Sequence, residues 1–458
     1  MSGTPSALPD GLVLAFYGDD FTGSTDAMEV MAFAGLDTVL FLDDPTPERL
    51  ARFPSARAVG IAGVSRSRDP AWMAENLPAR FASLARLGAP LLQYKICSTF
   101  DSAPHVGSIG RAVDLGVPFG RTPFSPMIVG APRLRRFQAF GNLFATLDDV
   151  GYRLDRHPTM SRHPVTPMGE ADLRLHVSRQ TGRRIELIHF VQLRQGRGPE
   201  LLGSLAGPDT PLVLIDVLDE ETLAEAGRLV WETRGDGVFT ASSSGLQYAL
   251  VAHWRSEGLL PPEAPPPRAP SVERIAVVSG SCSPGTAAQV DWAAGHGFDA
   301  IRLDAARTVR GEGEAEAARC AEAALAALGA GRDPLVYSAS GPQDPALAGV
   351  ADAAARAGLT PALANARIGA ALASTLQRVL ARASLRRVAV AGGDTSGEVM
   401  SRLRVMALTA LAPLAPGSPL CTAWPHDPER ASVEVALKGG QIGGPDFFGA
   451  VRRGAPFA

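Results

Sequence analysis

Two adjacent aspartates follow the first apolar segment of the chain. The segment "VLAFYG" leads directly into Asp19 and Asp20, and "FTGSTDA" continues with hydroxyl residues at the predicted start of a helix. Because aspartate is a common helix cap, one carboxylate could cap this helix while the other faces water. The chemical alternative is that one carboxylate accepts a substrate hydroxyl and the other acts as a base or reaches a metal ion through water.

A second polar group follows the apolar segment "LLQYKIC". Lys95 lies near its end, and Ser98, Thr99 and Asp101 come shortly after it. Lysine is rarely buried without a partner, and a cation surrounded by hydroxyls suits a carboxylate or a phosphate. The pattern predicts an anion site at a strand end, with a structural ion pair as the alternative interpretation of Lys95.

A basic, proline-broken segment, "RHPTMSRHPVTPM", lies in the middle of the chain. His157 and His163 are six residues apart there, so they do not share a helix face as the histidines of H-E-x-x-H do. The segment predicts a rigid basic lid or substrate loop rather than a zinc site, with a solvated surface loop as the structural alternative.

Three glycine-rich turns follow predicted strands in the second half of the chain: "VVSGSCSPG", "VAVAGGDTSG" and "LKGGQIGG". Small residues permit close backbone approach, and helix N-termini offer free N–H groups to phosphate. One such turn is a weak signal, but three in one domain favour a nucleotide. The motifs of P-loop enzymes, dinucleotide-binding dehydrogenases, serine hydrolases and zincins are absent from the sequence.

The composition restricts the possible partners. Lys and Arg total 44 against 47 Asp and Glu, and the net charge of −3 offers no general attraction for nucleic acid or an anionic membrane. The apolar runs are shorter than the roughly 20 residues of a membrane span, and the first residues do not resemble a signal peptide. With four well-separated cysteines and no C-x-x-C pair, we expect a cytoplasmic protein.

Positions 261–270, "PPEAPPPRAP", include six prolines and predict a semi-rigid linker. On both sides of it, continuous apolar runs alternate with helix-like segments, among them helices predicted over 315–328 and 361–383. This alternation is typical of parallel sheets covered on both faces. We therefore predict two α/β domains with mainly parallel sheets, over 1–260 and 271–458, and an active site in the cleft between them at the carboxyl ends of strands.

These motifs, in this order, resemble the four-carbon acid sugar kinase family. The resemblance is carried by "GDDFTGSTDA", "YKICSTFDS", "HPVTPM", "SGSCS", "GGDTSG" and "LKGGQIGGPDFF", and it covers nearly the whole chain. It implies an N-terminal acid-sugar domain and a C-terminal ATP domain. It also implies transfer of the γ-phosphate of ATP to a terminal hydroxyl of a short sugar acid such as threonate, erythronate or a 3-oxo-tetronate.

The resemblance and the residue chemistry together give the candidate site. The catalytic candidates are Asp20, Asp101 and Lys95. The substrate-binding candidates are Asp19, Ser65, Arg66, Ser98 and Thr99. The candidates for ATP are Ser279, Ser281, Gly392, Gly393, Asp394, Thr395 and Gly440. No residue is predicted as a metal ligand, because Mg²⁺ would be held mainly by the phosphates of ATP.

The strand that ends at Lys95 departs from the pattern of many family members. They continue K-x-D-S-T-x-R-G, whereas this chain continues with Cys97, Ser98 and Thr99, a variant that resembles the 3-oxo-tetronate kinase branch. The longer basic stretch "RLDRHPTMSRHPVTPM" indicates a branched or oxidised substrate such as 3-oxo-isoapionate. The alternatives are a threonate or erythronate kinase, a non-catalytic sugar-acid or nucleotide sensor, and, more weakly, an α/β oxidoreductase.

The predicted mechanism depends on positioning and charge stabilisation. Asp20 or Asp101 would hold the acceptor hydroxyl and take its proton, while Lys95 and Arg66 would hold the carboxylate of the substrate or the developing charge. Closure about the proline hinge would exclude water. The expected partners are a sugar acid and ATP, without nucleic acid or membrane, and a homodimer is compatible with this hypothesis.

Overall fold

The chain divides at the proline-rich segment into two units, Met1–Pro265 and Pro266–Ala458. A computed structural model describes residues 7–147, 149–163 and 165–456 of the protein. Pro164, which belongs to the predicted "HPVTPM" loop, therefore lies outside the described residues. No helix in these described ranges is long and apolar enough to cross a bilayer.

Both ends of the proline-rich segment are anchored, each to the unit that contains it. Glu263 accepts two hydrogen bonds of 3.0 Å from Arg133 in the first unit. In the second unit, the backbone N–H of Ala269 donates to the carbonyl of Gly454 at 3.0 Å. The residues between these anchors are mostly exposed.

The first unit alternates short buried strands with helices. In chain order its elements are β1 (Leu14–Gly18), α1 (Phe21–Phe33), β2 (Thr38–Phe41), α2 (Pro47–Leu50), β3 (Ala58–Ala62), α3 (Pro70–Ala85), β4 (Leu91–Lys95), α4 (Ile109–Gly116), β5 (Ser125–Ile128), β6 (Arg136–Ala139), β7 (Asn142–Leu147), β8 (Val150–Arg153), α5 (Leu173–Val177), β9 (Ile185–Ile188), α6 (Phe190–Arg194), α7 (Gly198–Leu205), β10 (Leu212–Ile215), α8 (Glu220–Glu232), β11 (Val238–Ser242) and α9 (Gly245–Ser256).

The main sheet of this unit is parallel, in the order β11-β4-β1-β3-β2. Every residue of β1, β3 and β4 is buried, which explains why β1 and β3 are continuous apolar runs and β4 is mostly apolar. Gly18 is in register with Lys95 and with Ala62. The loops that follow these three strands therefore leave the sheet at the same edge, as predicted for the polar groups after "VLAFYG" and "LLQYKIC".

Two smaller sheets complete the first unit. A parallel sheet has the order β5-β10-β9, and an antiparallel sheet has the order β6-β7-β8. The antiparallel sheet was not predicted from the sequence. Its first hairpin turns at Phe140 and Gly141, which both have positive φ, as a two-residue type I′ turn requires.

The second unit repeats the alternation of strands and helices. Its elements are β12 (Ile275–Ser279), α10 (Pro284–Ala294), β13 (Phe298–Arg302), α11 (Ala305–Arg307), α12 (Gly313–Gly329), β14 (Asp333–Tyr337), α13 (Ala346–Arg356), α14 (Pro361–Leu380), β15 (Arg387–Ala391), α15 (Gly393–Arg402), β16 (Val405–Ala415), β17 (Ser418–Pro425), β18 (Val433–Lys438) and α16 (Phe447–Arg453). Helices α12 and α14 confirm the two Ala-rich helices predicted from the sequence.

The sheet of the second unit is parallel through β13-β14-β12-β15-β18 and continues antiparallel into β17 and β16. Ile275, Phe298 and Phe448 belong to the hydrophobic cluster on this sheet. Ser279 is in register with Ala391, and Ala391 with Lys438. The three glycine-rich turns therefore leave the carboxyl ends of adjacent strands, β12, β15 and β18.

Candidate active site

The two aspartates after β1 have different roles in the structure. Asp20 is the N-cap of α1: its Oδ1 accepts from the backbone N–H of Gly23 at 2.8 Å, and its Oδ2 accepts from the Thr22 hydroxyl at 3.0 Å. Asp19 is only 2% exposed, so it does not face water. The capping interpretation therefore applies to Asp20, whereas Asp19 needs another explanation.

Arg66 supplies that explanation. Its Nη2 lies 2.7 Å from Oδ1 of Asp19 and 2.8 Å from Oδ1 of Asp20, and its Nε donates to Oδ2 of Asp19 at 3.1 Å. Arg66 stands in a single 3-10 turn, Ser65–Ser67, after β3, and its backbone N–H donates to the carbonyl of Asp19. One guanidinium thus joins both aspartates.

The two carboxyl groups have opposite pKa shifts. Burial raises the pKa of Asp19 above its usual value, although Arg66 acts in the opposite direction. Burial also acts to raise the pKa of Asp20, but Arg66 and Lys95 overcome it and bring that pKa below its usual value. Asp20 is therefore a firmly ionised carboxylate whose two oxygens are both occupied by donors.

Lys95 is buried at the end of β4, with its Nζ 3.5 Å from Oδ2 of Asp26. A β-carbon placed on Gly23 would lie 2.2 Å from Oδ1 of Asp20, 2.8 Å from Nζ of Lys95 and 3.3 Å from Nη2 of Arg66. The missing side chain of Gly23 therefore leaves room where one carboxylate and two cations converge. Lys95 thus forms the ion pair with Asp26 that the structural interpretation expects, and it also lies close to Asp20 and Arg66.

The loop after β4 carries a chain of polar contacts. Sγ of Cys97 lies 2.9 Å from the Thr99 hydroxyl, which donates to Oδ1 of Asp101 at 2.8 Å. Burial and Asp101 raise the pKa of the Cys97 thiol to about 11, while Arg66 and Lys95 act to lower it. Thr99 therefore connects Cys97 to Asp101, and the charges of Arg66 and Lys95 also act on Cys97.

Ser65 and Ser98, two predicted substrate-binding residues, are fully buried and half-buried, respectively. Ser65 is fully buried, and its hydroxyl lies 2.9 Å from the hydroxyl of Tyr94. Ser98 is half-buried in the loop after β4. The structure thus brings Asp19, Asp20, Arg66 and Lys95 together. Asp101 is linked to them through Thr99 and Cys97, and we name these five residues the acid cluster. Ser65 directly precedes Arg66 in the chain, and the backbone N–H of Arg66 donates to the carbonyl of Asp19.

The histidines of the basic mid-chain loop act as local caps. Nδ1 of His157 accepts from the backbone N–H groups of Thr159 and Met160, and Nδ1 of His163 accepts from that of Thr166. Among the described residues there is no group of three or more His, Cys, Asp or Glu side chains that could hold a metal ion.

The three glycine-rich turns of the second unit meet. A β-carbon on Gly392 would lie 3.4 Å from the backbone nitrogen of Ser281 and 3.1 Å from Oγ1 of Thr395, and Gly392 has a φ of 115°, which favours glycine. The Ser283 hydroxyl donates to the carbonyl of Gly440. The seven residues predicted for ATP thus lie on one set of converging turns.

These turns present groups that suit phosphate. Gly393 and Asp394 are exposed at the first turn of α15, which has no side-chain cap, so its first N–H groups are available to an anion. The hydroxyl of Ser279 is buried and has no hydrogen-bond partner within residues 7–147, 149–163 and 165–456. A nucleotide phosphate would give such groups an acceptor.

Lys438, at the end of β18, was missed by the sequence reasoning. Its buried Nζ donates to Oγ1 of Thr286 at 2.9 Å, and Thr286 donates to Oγ of Ser281 at 3.0 Å. Burial lowers the pKa of Lys438 to about 8. A usable signal existed, since Lys95 and Lys438 are the only two lysines in the sequence and each ends a strand beside a polar turn.

Comparisons with known proteins agree with this division. A model of a sugar-binding N-terminal domain matches residues 14–250, and a model of a nucleotide-binding C-terminal domain matches residues 276–448. The chain is 60% identical to the 3-oxo-isoapionate kinase of Paraburkholderia graminis, over 98% of this chain and 96% of that protein. It is 30% identical to the 3-oxo-tetronate kinase of Cupriavidus necator, over 97% of this chain and 98% of that protein.

One solved structure has the same fold. It is the crystal structure of a protein from Salmonella typhimurium LT2 described as a tRNA synthase, with a TM-score of 0.77 and 26% identity over 96% of this chain and 98% of that chain.

Proposed function

We propose a substrate for this chain, which belongs to the four-carbon acid sugar kinase family and is an ATP-dependent sugar-acid kinase. It phosphorylates 3-oxo-isoapionate or a closely related branched 3-oxo acid at a terminal hydroxyl. The observation that carries the proposal is the 60% identity, over 98% of the chain, to a kinase named for that acid. The 30% identity to a 3-oxo-tetronate kinase makes a linear 3-oxo acid the second candidate.

The two units have separate binding roles in this proposal. We propose that residues 1–260 bind the sugar acid, that residues 271–458 bind ATP, and that 261–270 act as a hinge. The descriptions of the two family models support the first two roles, and the anchoring of both ends of the segment supports the third. A cytoplasmic location, a site in a cleft between the domains and a homodimer stay predictions.

The converging turns of the second unit are proposed to hold the phosphates of ATP. Ser279, Ser281 and Lys438 would supply hydroxyls and a positive charge, while the backbone of the turns at Gly392 and Gly440 would allow close approach. When bound, Mg²⁺ would neutralise charge on the transferring phosphate, and we propose that the phosphates of ATP are its main ligands.

We propose Asp101 as the base. Within the part of the chain that the structure describes, Thr99 is the one donor to Asp101, at Oδ1, which leaves Oδ2 for a substrate hydroxyl. Both oxygens of Asp20, in contrast, already accept from Thr22, Gly23 or Arg66. The acceptor oxygen forms a bond to the γ-phosphorus as the bond from that phosphorus to the bridging oxygen of ADP breaks. The hydroxyl proton passes to Asp101, and ADP leaves.

The rest of the acid cluster has a supporting role in this proposal. Asp19 and Asp20 fix Arg66 by three hydrogen bonds or ion pairs, and Asp26 holds Lys95. Arg66 and Lys95 then offer a fixed positive field to the charge that develops during transfer, without reorganising at that moment.

The proposed function predicts selective turnover. Purified protein with Mg²⁺ and ATP should consume ATP in the presence of 3-oxo-isoapionate, with a higher kcat/KM than for 3-oxo-tetronates, threonates or erythronates. Release of ADP in a coupled assay measures this. The best acid of the panel identifies the substrate branch, and binding of ATP without turnover of any acid would contradict the kinase proposal and favour a sensor.

Lys438→Met should weaken ATP binding and remove a pH dependence. In the unmodified protein, the pKa of about 8 means that Lys438 loses its charge as the pH rises through 8, so KM for ATP should increase by up to about tenfold per pH unit above that value. Lys438→Met should raise KM for ATP by about 10–100-fold at pH 7 and make it nearly independent of pH.

Steady-state kinetics between pH 6.5 and 9.5 test this prediction. Arg378→Met is the matched control, because Arg378 is an exposed cation of the same unit, 3.0 Å from Glu314. KM for the sugar acid should stay unchanged in both variants. An unchanged KM for ATP in Lys438→Met would remove this residue from the nucleotide site.

A further inference from the structure

Arg136, the first residue of β6, is a cation that the mechanism above does not use. Its Nη1 donates only to backbone carbonyls, those of Leu134 at 3.0 Å and Arg135 at 3.2 Å. Its Nε is buried and has no hydrogen-bond partner among the described residues. A guanidinium has five N–H donors, so much of the donor capacity of Arg136 is unused in the protein alone.

The neighbouring cations differ from Arg136 in having carboxylate partners. Arg66 contacts Asp19 and Asp20, and Lys95 contacts Asp26. Arg135, adjacent in sequence, pairs with Asp149. In the ranges that the structure describes, Arg136 has no ion pair with any carboxylate. Arg136 is half-buried, and because a buried N–H such as its Nε is costly to leave without an acceptor, an external anion is the expected partner.

Arg136 lies near the loop that follows β4. Burial lowers the pKa of Arg136, and the charges of Cys97 and Asp101 act on it in the opposite direction. Cys97 is coupled in turn to Arg66 and Lys95. Backbone hydrogen bonds also join Arg136 to Ala131, Ser243 to Ile128 and Ile96 to Ser242, so Arg136 lies near the loop that carries Cys97 and the proposed base Asp101.

The other titratable group near Arg136 cannot serve as its counter-ion. His157 has its pKa lowered by burial and by Arg136, which keeps its imidazole neutral. Its Nδ1 accepts from two backbone N–H groups of its own loop. His157 therefore does not supply a negative charge to Arg136.

We propose that Arg136 binds the carboxylate of the sugar acid and so fixes which end of the substrate lies toward Asp101. This inference rests on the proposed function. A guanidinium matches a carboxylate with two parallel hydrogen bonds, and a short carbon chain then separates the carboxylate from the hydroxyl held at Asp101. Arg66 already binds the carboxylates of Asp19 and Asp20, so it is the poorer partner for the carboxylate of the substrate.

The test uses the full-length protein, with Arg136→Met and Arg136→Lys as variants and Arg135→Met as the matched control. Equilibrium binding of 3-oxo-isoapionate is measured by calorimetry without ATP, alongside KM for this acid, for its neutral amide and for ATP. Thermal unfolding of each variant reports whether it folds. Arg136→Lys keeps the charge and provides a folded variant if the methionine variant is unstable.

Arg136→Met should raise Kd and KM for the acid by about 10–100-fold, leave KM for ATP unchanged, and reduce the preference for the acid over its amide by the same factor. Kd and KM of Arg136→Lys for the acid should lie between those of Arg136→Met and the unmodified protein, because lysine keeps the charge and loses the bidentate geometry. Arg135→Met should match the unmodified protein.

Two results would overturn the inference. One is a Kd for the acid within about twofold of the unmodified protein in Arg136→Met. The other is an equal loss for the acid and the amide, which would assign Arg136 a structural role. Failure of the kinase proposal gives a different result, namely no turnover by the unmodified protein, and the calorimetric comparison still tests Arg136.

Discussion

Asp101→Asn should lower kcat by about 10²–10⁴-fold, the usual contribution of a general base, with little change in KM for ATP. Asparagine keeps the size of the side chain and can still accept from the Thr99 hydroxyl, but its amide cannot take the proton of the substrate. The loss should therefore appear in the chemical step. Single-turnover kinetics with the best acid of the panel measure it directly.

Asp209→Asn is the matched control for this experiment. Asp209 is an aspartate of the same unit whose Oδ2 lies 3.1 Å from Nε of Arg184 in a surface ion pair, so its replacement should leave kcat unchanged. Asp20→Asn should retain the helix cap, because asparagine caps as well as aspartate, and should lower the rate less than Asp101→Asn. The reverse order of the two losses would identify Asp20 as the base.

Arg66→Met should destabilise the protein by about 3–5 kcal/mol, because it leaves Asp19 and Asp20 without their shared cation in a buried position. Burial already raises the pKa of Asp19, and loss of Arg66 should raise the folded-state pKa of both carboxyls. A carboxyl whose pKa is higher in the folded state binds protons more tightly there. Its stabilising effect, present at low pH, is therefore lost as the pH rises through the folded-state pKa.

The stability deficit of Arg66→Met should consequently be largest near neutral pH and shrink as the pH falls toward about 5. Urea unfolding at several pH values measures this. Arg80→Met is the control, since Arg80 forms an exposed ion pair with Asp44 at 2.7 Å, which is worth at most about 1 kcal/mol. A deficit that is small or constant with pH would show that Asp19 and Asp20 do not depend on Arg66.

The strands that form the site were predictable because their physics is local. β1 and β4 are largely apolar runs followed by polar residues, and a parallel sheet buried on both faces requires such runs. The same argument predicts that Asp19, Lys95 and Asp101 lie at one edge of the sheet. The antiparallel sheet β6-β7-β8 was missed because its strands are only partly buried and carry a weak apolar signal.

The pairing of charges was less predictable because it joins distant parts of the chain. Arg66 lies 47 residues from Asp19, and no local spacing rule connects them. From the sequence, Arg66 was expected to bind the substrate, and the structure gives it two aspartate partners. A direct contact between Arg66 and the substrate stays a prediction. Arg136 was hidden for the same reason, since the lack of a carboxylate partner for it among the described residues is visible only once the fold is known.

The position of Cys97 has a consequence for the chemical durability of the site. A thiol with a pKa of about 11 has about one molecule in 10⁴ in the reactive thiolate form at pH 7. Alkylating agents, peroxide and disulfides react with the thiolate, so the sulfur among these charged groups is protected from them although it sits beside the proposed base. Cys97 itself should therefore resist oxidation, unlike the acidic thiols of enzymes that oxidative stress inactivates.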